Sequence, residues 1–315
     1  MKRTLKEYLL ITLKGIGMGA ADVVPGVSGG TIAFITGIYK ELIDSIKSIN
    51  ISAIKLLFKG KIKSFWKAIN GTFLLSIIIG IGISIFSLAK IMKYLLDNYP
   101  VLIWSFFFGL IVASILYIAK EIQKWKAGTI ISLIIGIITA YWITVISPAE
   151  ANATNWYILL SGSIAICAMI LPGISGSFIL VLLGMYKFIL GAVSELNIPI
   201  LSIFLFGALI GIVTFSNLLS WLLKKYYDLT IALLTGFMAG SLNKVWPWKE
   251  AINNIGSQKE TGLLLEKNIL PSRYTEISGN DSMWLWAIIL AIFGFSIIFI
   301  TDIYLNKRKK HTEKN

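Results

Sequence analysis

Pro25-Gly26-Val27-Ser28-Gly29 and Pro172-Gly173-Ile174-Ser175-Gly176 are two copies of one pattern, Pro-Gly-x-Ser-Gly, each set inside a long apolar stretch. The match continues at the same offset of 147 residues: Gly37 falls on Gly184, Tyr39 on Tyr186 and Lys40 on Lys187. Proline ends a helix because it lacks an N–H and clashes with the preceding turn. The glycines permit tight backbone and leave amide groups unshielded. In lipid, unwound backbone is tolerated only where protein buries it or where it lines a polar cavity. In transporters, paired breaks of this kind mark the substrate site.

The composition around the motif is that of a membrane protein. Of the 315 residues, 56% are hydrophobic and only 14% charged, against about 25% charged in an average soluble domain. Windows near 20 residues with few or no charges predict full spans at 71–92, 99–119, 127–147, 200–223, 229–247 and 283–305. Each half opens with two shorter arms flanking the Pro-Gly turn, 8–22 and 31–46, then 156–171 and 177–193. As helix, each arm measures roughly 25 Å, short of the ~30 Å hydrocarbon core. That length suits a hairpin that enters and leaves on one side, although a spanning pair satisfies the same pattern.

The expected fold is therefore an all-α polytopic membrane protein built from two repeats. Each is a re-entrant or spanning helical hairpin with a Pro-Gly-x-Ser-Gly tip, followed by three transmembrane helices. The repeats cover 1–147 and 148–305, and 306–315 is a basic cytoplasmic tail. Late in the halves Gly80 aligns with Gly207 and Gly109 with Gly236, at an offset of 127, because the segment near 48–69 occurs only in the first half. A hairpin adds zero or two crossings, so each half crosses an odd number of times. The two halves must then insert in opposite senses, which defines an inverted-topology repeat.

The net charge of +13 is explained by orientation rather than by nucleic-acid binding. With the N-terminus in the cytoplasm, lysine clusters at 47–67, 120–126, 224–225 and 307–314 all fall inside. The outside loops 148–155 and 194–199 hold no Lys or Arg, and loop 243–282 balances its basic residues with acidic ones. Both termini are expected in the cytoplasm. Within 50–69, Ile51, Ile54, Leu57, Phe58, Ile62, Phe65, Trp66 and Ile69 recur at helical spacing, and Lys55, Lys59, Lys63 and Lys67 at every fourth residue. This reads as a basic amphipathic helix on the anionic inner leaflet, the alternative being a soluble loop helix. Loop 243–282, with Trp246 and Trp248, is expected as a lid or an inert excursion.

The single cysteine, Cys167, excludes an intrachain disulfide, and the single histidine, His311, sits in the charged tail. His/Cys metal sites and histidine catalysis are thereby disfavoured, and neither metal nor cofactor is expected. The start Met1-Lys2-Arg3 with Gly19-Ala20-Ala21 imitates a signal peptide, but Lys14 interrupts its apolar region and the segment belongs to the repeat.

The return arms begin just after Ser28-Gly29-Gly30 and Ser175-Gly176-Ser177. Their first N–H groups have no intrahelical acceptor, and with the positive end of the helix dipole they favour an anion. Ser28 and Ser175 can cap those helices or donate a hydroxyl to an anion. The candidate binding set is Lys14, Gly26, Ser28, Gly29, Gly30, Gly173, Ser175, Gly176 and Ser177. The plainer reading is a pair of closely packed tips with capping serines. Asp22 has no acidic counterpart, Met169 standing in its place. It is a candidate coupling residue, or else a cap or a partner for Lys14. Lys40 and Lys187 are secondary candidates that can snorkel to headgroups, and Lys40 can pair with Asp44 at i+4.

Gly17-Met18-Gly19-Ala20-Ala21-Asp22-Val23-Val24-Pro25-Gly26-Val27-Ser28-Gly29-Gly30-Thr31, reinforced by Leu171-Pro172-Gly173-Ile174-Ser175-Gly176-Ser177 and the spacing to Gly184-Met185-Tyr186, resembles the PopT-type polyprenyl-phosphate translocase family. The similarity runs over almost the whole chain and is least clear in 243–282. The resemblance implies a transporter in the bacterial plasma membrane that returns undecaprenyl phosphate from the outer to the inner leaflet, recycling the carrier for envelope polymers. The turn is also similar to the Pro-Gly-x-Ser-Arg-Ser element of BacA-type undecaprenyl-diphosphatases. Here Gly29 and Gly176 replace the arginine, and the first arms lack paired glutamates. Phosphoryl chemistry loses its main supports without those groups. A transporter of another anionic lipid or a small anion is the remaining alternative.

Overall fold

The computed structural model describes residues 3–23, 28–146, 152–252 and 265–312. Pro25, Gly26 and Val27 of the first tip and residues 253–264 of the long loop lie outside them. In chain order the helices are α1 (Leu5–Val23), α2 (Gly29–Ile35), α3 (Tyr39–Lys47), α4 (Ile51–Phe58), α5 (Ile62–Ala68), α6 (Gly71–Asn98), α7 (Pro100–Ala119) and α8 (Ala127–Val145). There follow α9 (Asn155–Ile170), α10 (Gly176–Leu182), α11 (Tyr186–Ser194), α12 (Ile198–Lys225) and α13 (Tyr227–Ser241). A two-stranded antiparallel hairpin, β1 (Lys249–Ile252) and β2 (Leu265–Asn268), precedes α14 (Pro271–Ser278) and α15 (Trp284–Thr312). Several helices are long and apolar enough to cross a membrane, and the chain is a multi-pass membrane protein.

The element lengths repeat. Helices α2 and α10 have 7 residues each, α3 and α11 have 9, and α6 and α12 have 28. Each return arm, expected as one helix, is broken in two. Gly37 (φ 73°) and Gly184 (φ 68°) adopt the left-handed conformation. Around each, the C-terminal N–H groups turn back onto the helix: Gly37 N–H to Phe34 and Ile38 N–H to Ala33, Gly184 N–H to Val181 and Met185 N–H to Leu180. This is the Schellman stop, whose left-handed position favours a residue without a Cβ. The apolar run continues through both glycines, so hydropathy alone conceals the break. In the second arm α10 and α11 diverge by 115°.

Among the described residues, three single helices are long and apolar enough to cross a membrane, Pro100–Ala119, Ala127–Val145 and Ile198–Lys225, or up to five if each bent pair counts as a span. Three further expectations are corrected. The expected span at 229–247 is only the 15-residue α13, which stops at Ser241, where the apolar run gives way to Asn243 and Lys244. The single helix expected at 50–69 is two, because Gly60 (φ 68°) makes a third Schellman stop between α4 and α5. The loop expected within an all-α fold contains the β-hairpin. Trp248 is buried there with Val101, Ile269 and Ala287, and donates from Nε1 to the Ser282 carbonyl at 2.9 Å. The indole of Trp246 likewise donates to the Ile269 carbonyl at 2.9 Å. The described part of the loop is packed onto the starts of α7 and α15.

The chain clusters into two compact units, and each draws on both halves of the sequence. One comprises 1–92 and 146–227, and so holds both hairpins, α4, α5, most of α6, and α12. In it α9 packs along α12, where Gly162 faces the Phe204 carbonyl and Gly207 the Leu159 carbonyl. The equivalent glycines Gly15 and Gly80 face Ile77 and Thr12 carbonyls between α1 and α6. A Cβ at any of these four would run into main chain, so the seams depend on small residues, as close helix contacts in membranes do. The other unit holds α7, α8, α13, the β-hairpin, α14 and α15. There α7 packs against α15, and α13 meets α8 through Gly236 and Gly136.

Candidate functional site

Pro172 terminates α9, and a terminated helix leaves its last carbonyls without intrahelical donors. The first hairpin supplies them. Ser28 Oγ lies 3.1 Å from both the Met169 and Leu171 carbonyls, and the Tyr39 hydroxyl donates to the Ile170 carbonyl at 3.2 Å. In return, the Gly173 N–H donates to Thr31 Oγ1 at 3.0 Å. Gly30 packs directly on the Ile170 carbonyl, leaving no room for a side chain. The second tip and the return arm of the first are thus interlocked by hydrogen bonds across more than 130 positions of sequence.

Ser28 is completely buried and also caps α2 by accepting from the Gly30 N–H at 3.1 Å. Its one proton is committed to the second tip's carbonyls. The capping role expected for Ser28 is present. Ser175 differs: it makes no cap bond to α10, and its hydroxyl pairs with that of Ser177 at 2.8 Å. Gly173 takes φ 88°, and Gly176 packs on the Ala165 carbonyl.

Lys14 and Asp22 do not pair with each other among the described residues. Both lie on α1 and both grip α2. The Gly29 N–H donates to Asp22 Oδ1 at 2.7 Å, and Lys14 Nζ donates to the Thr36 carbonyl at 2.7 Å. A carboxylate therefore sits at the positive end of the α2 dipole and an ammonium at the negative end, each where the dipole favours it. The second hairpin has neither charge. Ser161 stands at the Lys14 position, fully buried and with no hydrogen-bond partner among the described residues, and Met169 stands at the Asp22 position. The carbonyl equivalent to Thr36 belongs to Leu183, and it accepts from the Tyr157 hydroxyl at 3.0 Å, one turn further from the tip.

Lys40 is exposed and does not pair with Asp44. That carboxylate instead accepts from Ser220 Oγ at 2.8 Å and lies 4.0 Å from Lys224 Nζ, both on α12. Lys40 lines an open cleft of about 500 Å³ with Gly37, Glu41, Asp44, Ser48 and Asn70. Arg3 holds Glu41 by a two-pronged ion pair at 2.6 Å, and Asn70 Nδ2 adds a third contact at 2.9 Å. Lys187 is exposed on α11. Gly26 lies outside the described residues. The sequence reading overlooked Thr31, Tyr157 and the three carbonyls of 169–171. Tyr39 appeared there only as a marker of the repeat. Thr31 was within the quoted motif, but nothing in a linear pattern shows that it faces a tip in the other half.

Two broken hairpins, the second tip bonded to the return arm of the first, sit within a polytopic membrane protein. The sequence profile described as VCA0040-like, undecaprenyl phosphate translocase-like, matches residues 18–262, and the chain belongs to that family. It is 48% identical over 302 residues to the polyprenyl-phosphate transporter of Vibrio cholerae serotype O1, covering 96% of this chain and 98% of that protein. It is 36% identical over 254 residues to the polyprenyl-phosphate transporter of Staphylococcus aureus, covering 75% of this chain and 85% of that protein. No solved structure gives a significant match.

Proposed function

We propose that this chain transports undecaprenyl phosphate, a polyprenyl monophosphate, from the outer to the inner leaflet of a bacterial plasma membrane, returning the carrier for envelope synthesis. The identity to a polyprenyl-phosphate transporter over nearly the whole of both chains carries the reading. Both termini are cytoplasmic. The two halves are inverted repeats, and rocking of one against the other moves the headgroup site between faces. The polyprenyl tail stays in lipid while the phosphate passes the tips.

The headgroup site in this reading lies where the tips meet, with Gly29, Gly30, Ser175, Gly176 and Ser177 contributing. Asp22 already occupies the amide that a phosphate would use. Two anions cannot share one N–H, so the lipid phosphate enters as the Asp22 carboxylate leaves or takes up a proton. Proton binding to Asp22 would then couple to substrate binding. The chemistry is transport alone, because no arginine stands at either tip to stabilise phosphoryl transfer.

The test is flipping of fluorescent polyprenyl phosphate by purified protein in liposomes, with and without a proton gradient. The Asp22→Asn protein keeps an acceptor for the Gly29 N–H but loses the titrating charge. Its flipping is expected to lose the response to the gradient. A gradient response equal to that of the unsubstituted protein would remove Asp22 from the mechanism, and release of inorganic phosphate from undecaprenyl diphosphate would replace transport with hydrolysis.

A further inference from the structure

Helices α4 and α5 are nearly uncovered by the rest of the protein. Phe58 is 86% exposed, Ile51 74% and Ile62 64%. Ala53 is the one buried residue of α4, and α5 has none. Eight- and seven-residue helices are far below the ~12–15 residues at which a helix in water becomes even marginally stable alone. A surface that contributes little packing to them has left that task to something else.

Their direction identifies what. Helix α5 turns 72° from the start of α6. A helix at that angle to a membrane-crossing neighbour runs close to the plane of the bilayer. Trp66 sits at the corner, its ring over Gly71 and its Nε1 donating to Thr72 Oγ1 at 3.0 Å. Indoles favour that depth, at the headgroup level. Lys55, Lys59, Lys63 and Lys67 are all exposed beside the apolar side chains.

We propose that the α4–α5 elbow is a foot that rests in the surface of an anionic leaflet, with Ile51, Phe58 and Ile62 entering the acyl boundary and the lysines engaging lipid phosphates. The apolar side chains specify a lipid surface over a soluble partner, and the four ammonium groups specify its charge. This goes beyond the transport reading and stands on the membrane topology alone.

The experiment uses full-length protein carrying Cys167→Ser and one environment-sensitive fluorophore at Phe58→Cys, Ile62→Cys or Lys59→Cys. It is reconstituted in vesicles of phosphatidylcholine, alone or mixed with phosphatidylglycerol. Labels at 58 and 62 are expected to be quenched by nitroxides on lipid acyl chains and shielded from aqueous iodide, and the label at 59 to behave in the opposite way. Phosphatidylglycerol is expected to deepen the first two, and replacing all four lysines with glutamine should erase that dependence. Hydrogen exchange over 51–68 in the unlabelled protein is expected to slow when phosphatidylglycerol is present. Iodide reaching 58 and 62 as readily as 59, or disulfide formation between copies at 58 in place of lipid quenching, would overturn the foot. Because no readout is transport, failure here is distinguishable from failure of the flipping assay.

Discussion

Asp22 and Lys14 divide between them the two ends of a seven-residue helix. A charge at a helix terminus contributes about 0.3–1 kcal/mol when exposed and up to ~2 kcal/mol when partly buried. A buried N–H left without an acceptor costs about 1–3 kcal/mol. Asp22→Ala is therefore expected to destabilise the detergent-solubilised protein by about 1–3 kcal/mol, and Asp22→Asn by distinctly less, as read from thermal melting. Equal losses would mean that the Gly29 bond is not what holds α2. The sequence marked Asp22 and Lys14 as unusual, since charges inside apolar arms are rare. The cap alternative for Asp22 is the one its bond to the Gly29 N–H shows, whereas the main-chain partner of Lys14 stayed hidden. Periodicity exposes pairs three or four residues apart on one helix, whereas Asp22 reaches across a proline turn and Lys14 reaches a main-chain oxygen.

At the scale of elements, two hydroxyls from the first hairpin serve the orphaned carbonyls of α9. Tyr39→Phe is expected to cost about 1 kcal/mol and Ser28→Ala about 1–3 kcal/mol, the larger value because both of its neighbours stay buried. A double-mutant cycle should show coupling of about 0.5 kcal/mol or more, since the two hydroxyls serve adjacent carbonyls of one helix end. Strict additivity would mean that the two bonds hold independent parts. The left-handed stops are equally testable. Gly37→Ala and Gly184→Ala each force a Cβ into a conformation costing about 1–2 kcal/mol, with a matching fall in melting temperature; an unchanged melt would show that the arms tolerate a straight helix. The repeat made both glycines visible at one offset. Their role stayed hidden because the residues flanking them, Thr36 and Ile38 or Leu183 and Met185, are uncharged and carry no marker of a helix end. Tyr39 and Tyr186 show the converse: identical letters at equivalent positions, one 4% and the other 39% exposed. Their environments diverged where their identities did not.

For the whole molecule, the pairing of element lengths was legible from the two motif copies and the offset that follows them. The short α13 and the β-hairpin were not, because a hydropathy window extends a span through residues that actually turn, and Trp246 and Trp248 bury their rings while bonding through their nitrogens. In the inverted arrangement, labelling of Ala153→Cys and Lys225→Cys should occur from opposite sides of the membrane; labelling from one side would refute it. The second compact unit carries a consequence for how the protein is made. Helix α7 seats its glycine face on α15, and α8 meets α13, so each early helix there is completed only by a late one. The ribosome delivers α7 and α8 to the translocon well before either mate exists, and their small-residue grooves must meanwhile be filled by lipid or by the insertion machinery. Separately expressed chains of 1–151 and 152–315 should each be short-lived, and together they should find one another and persist.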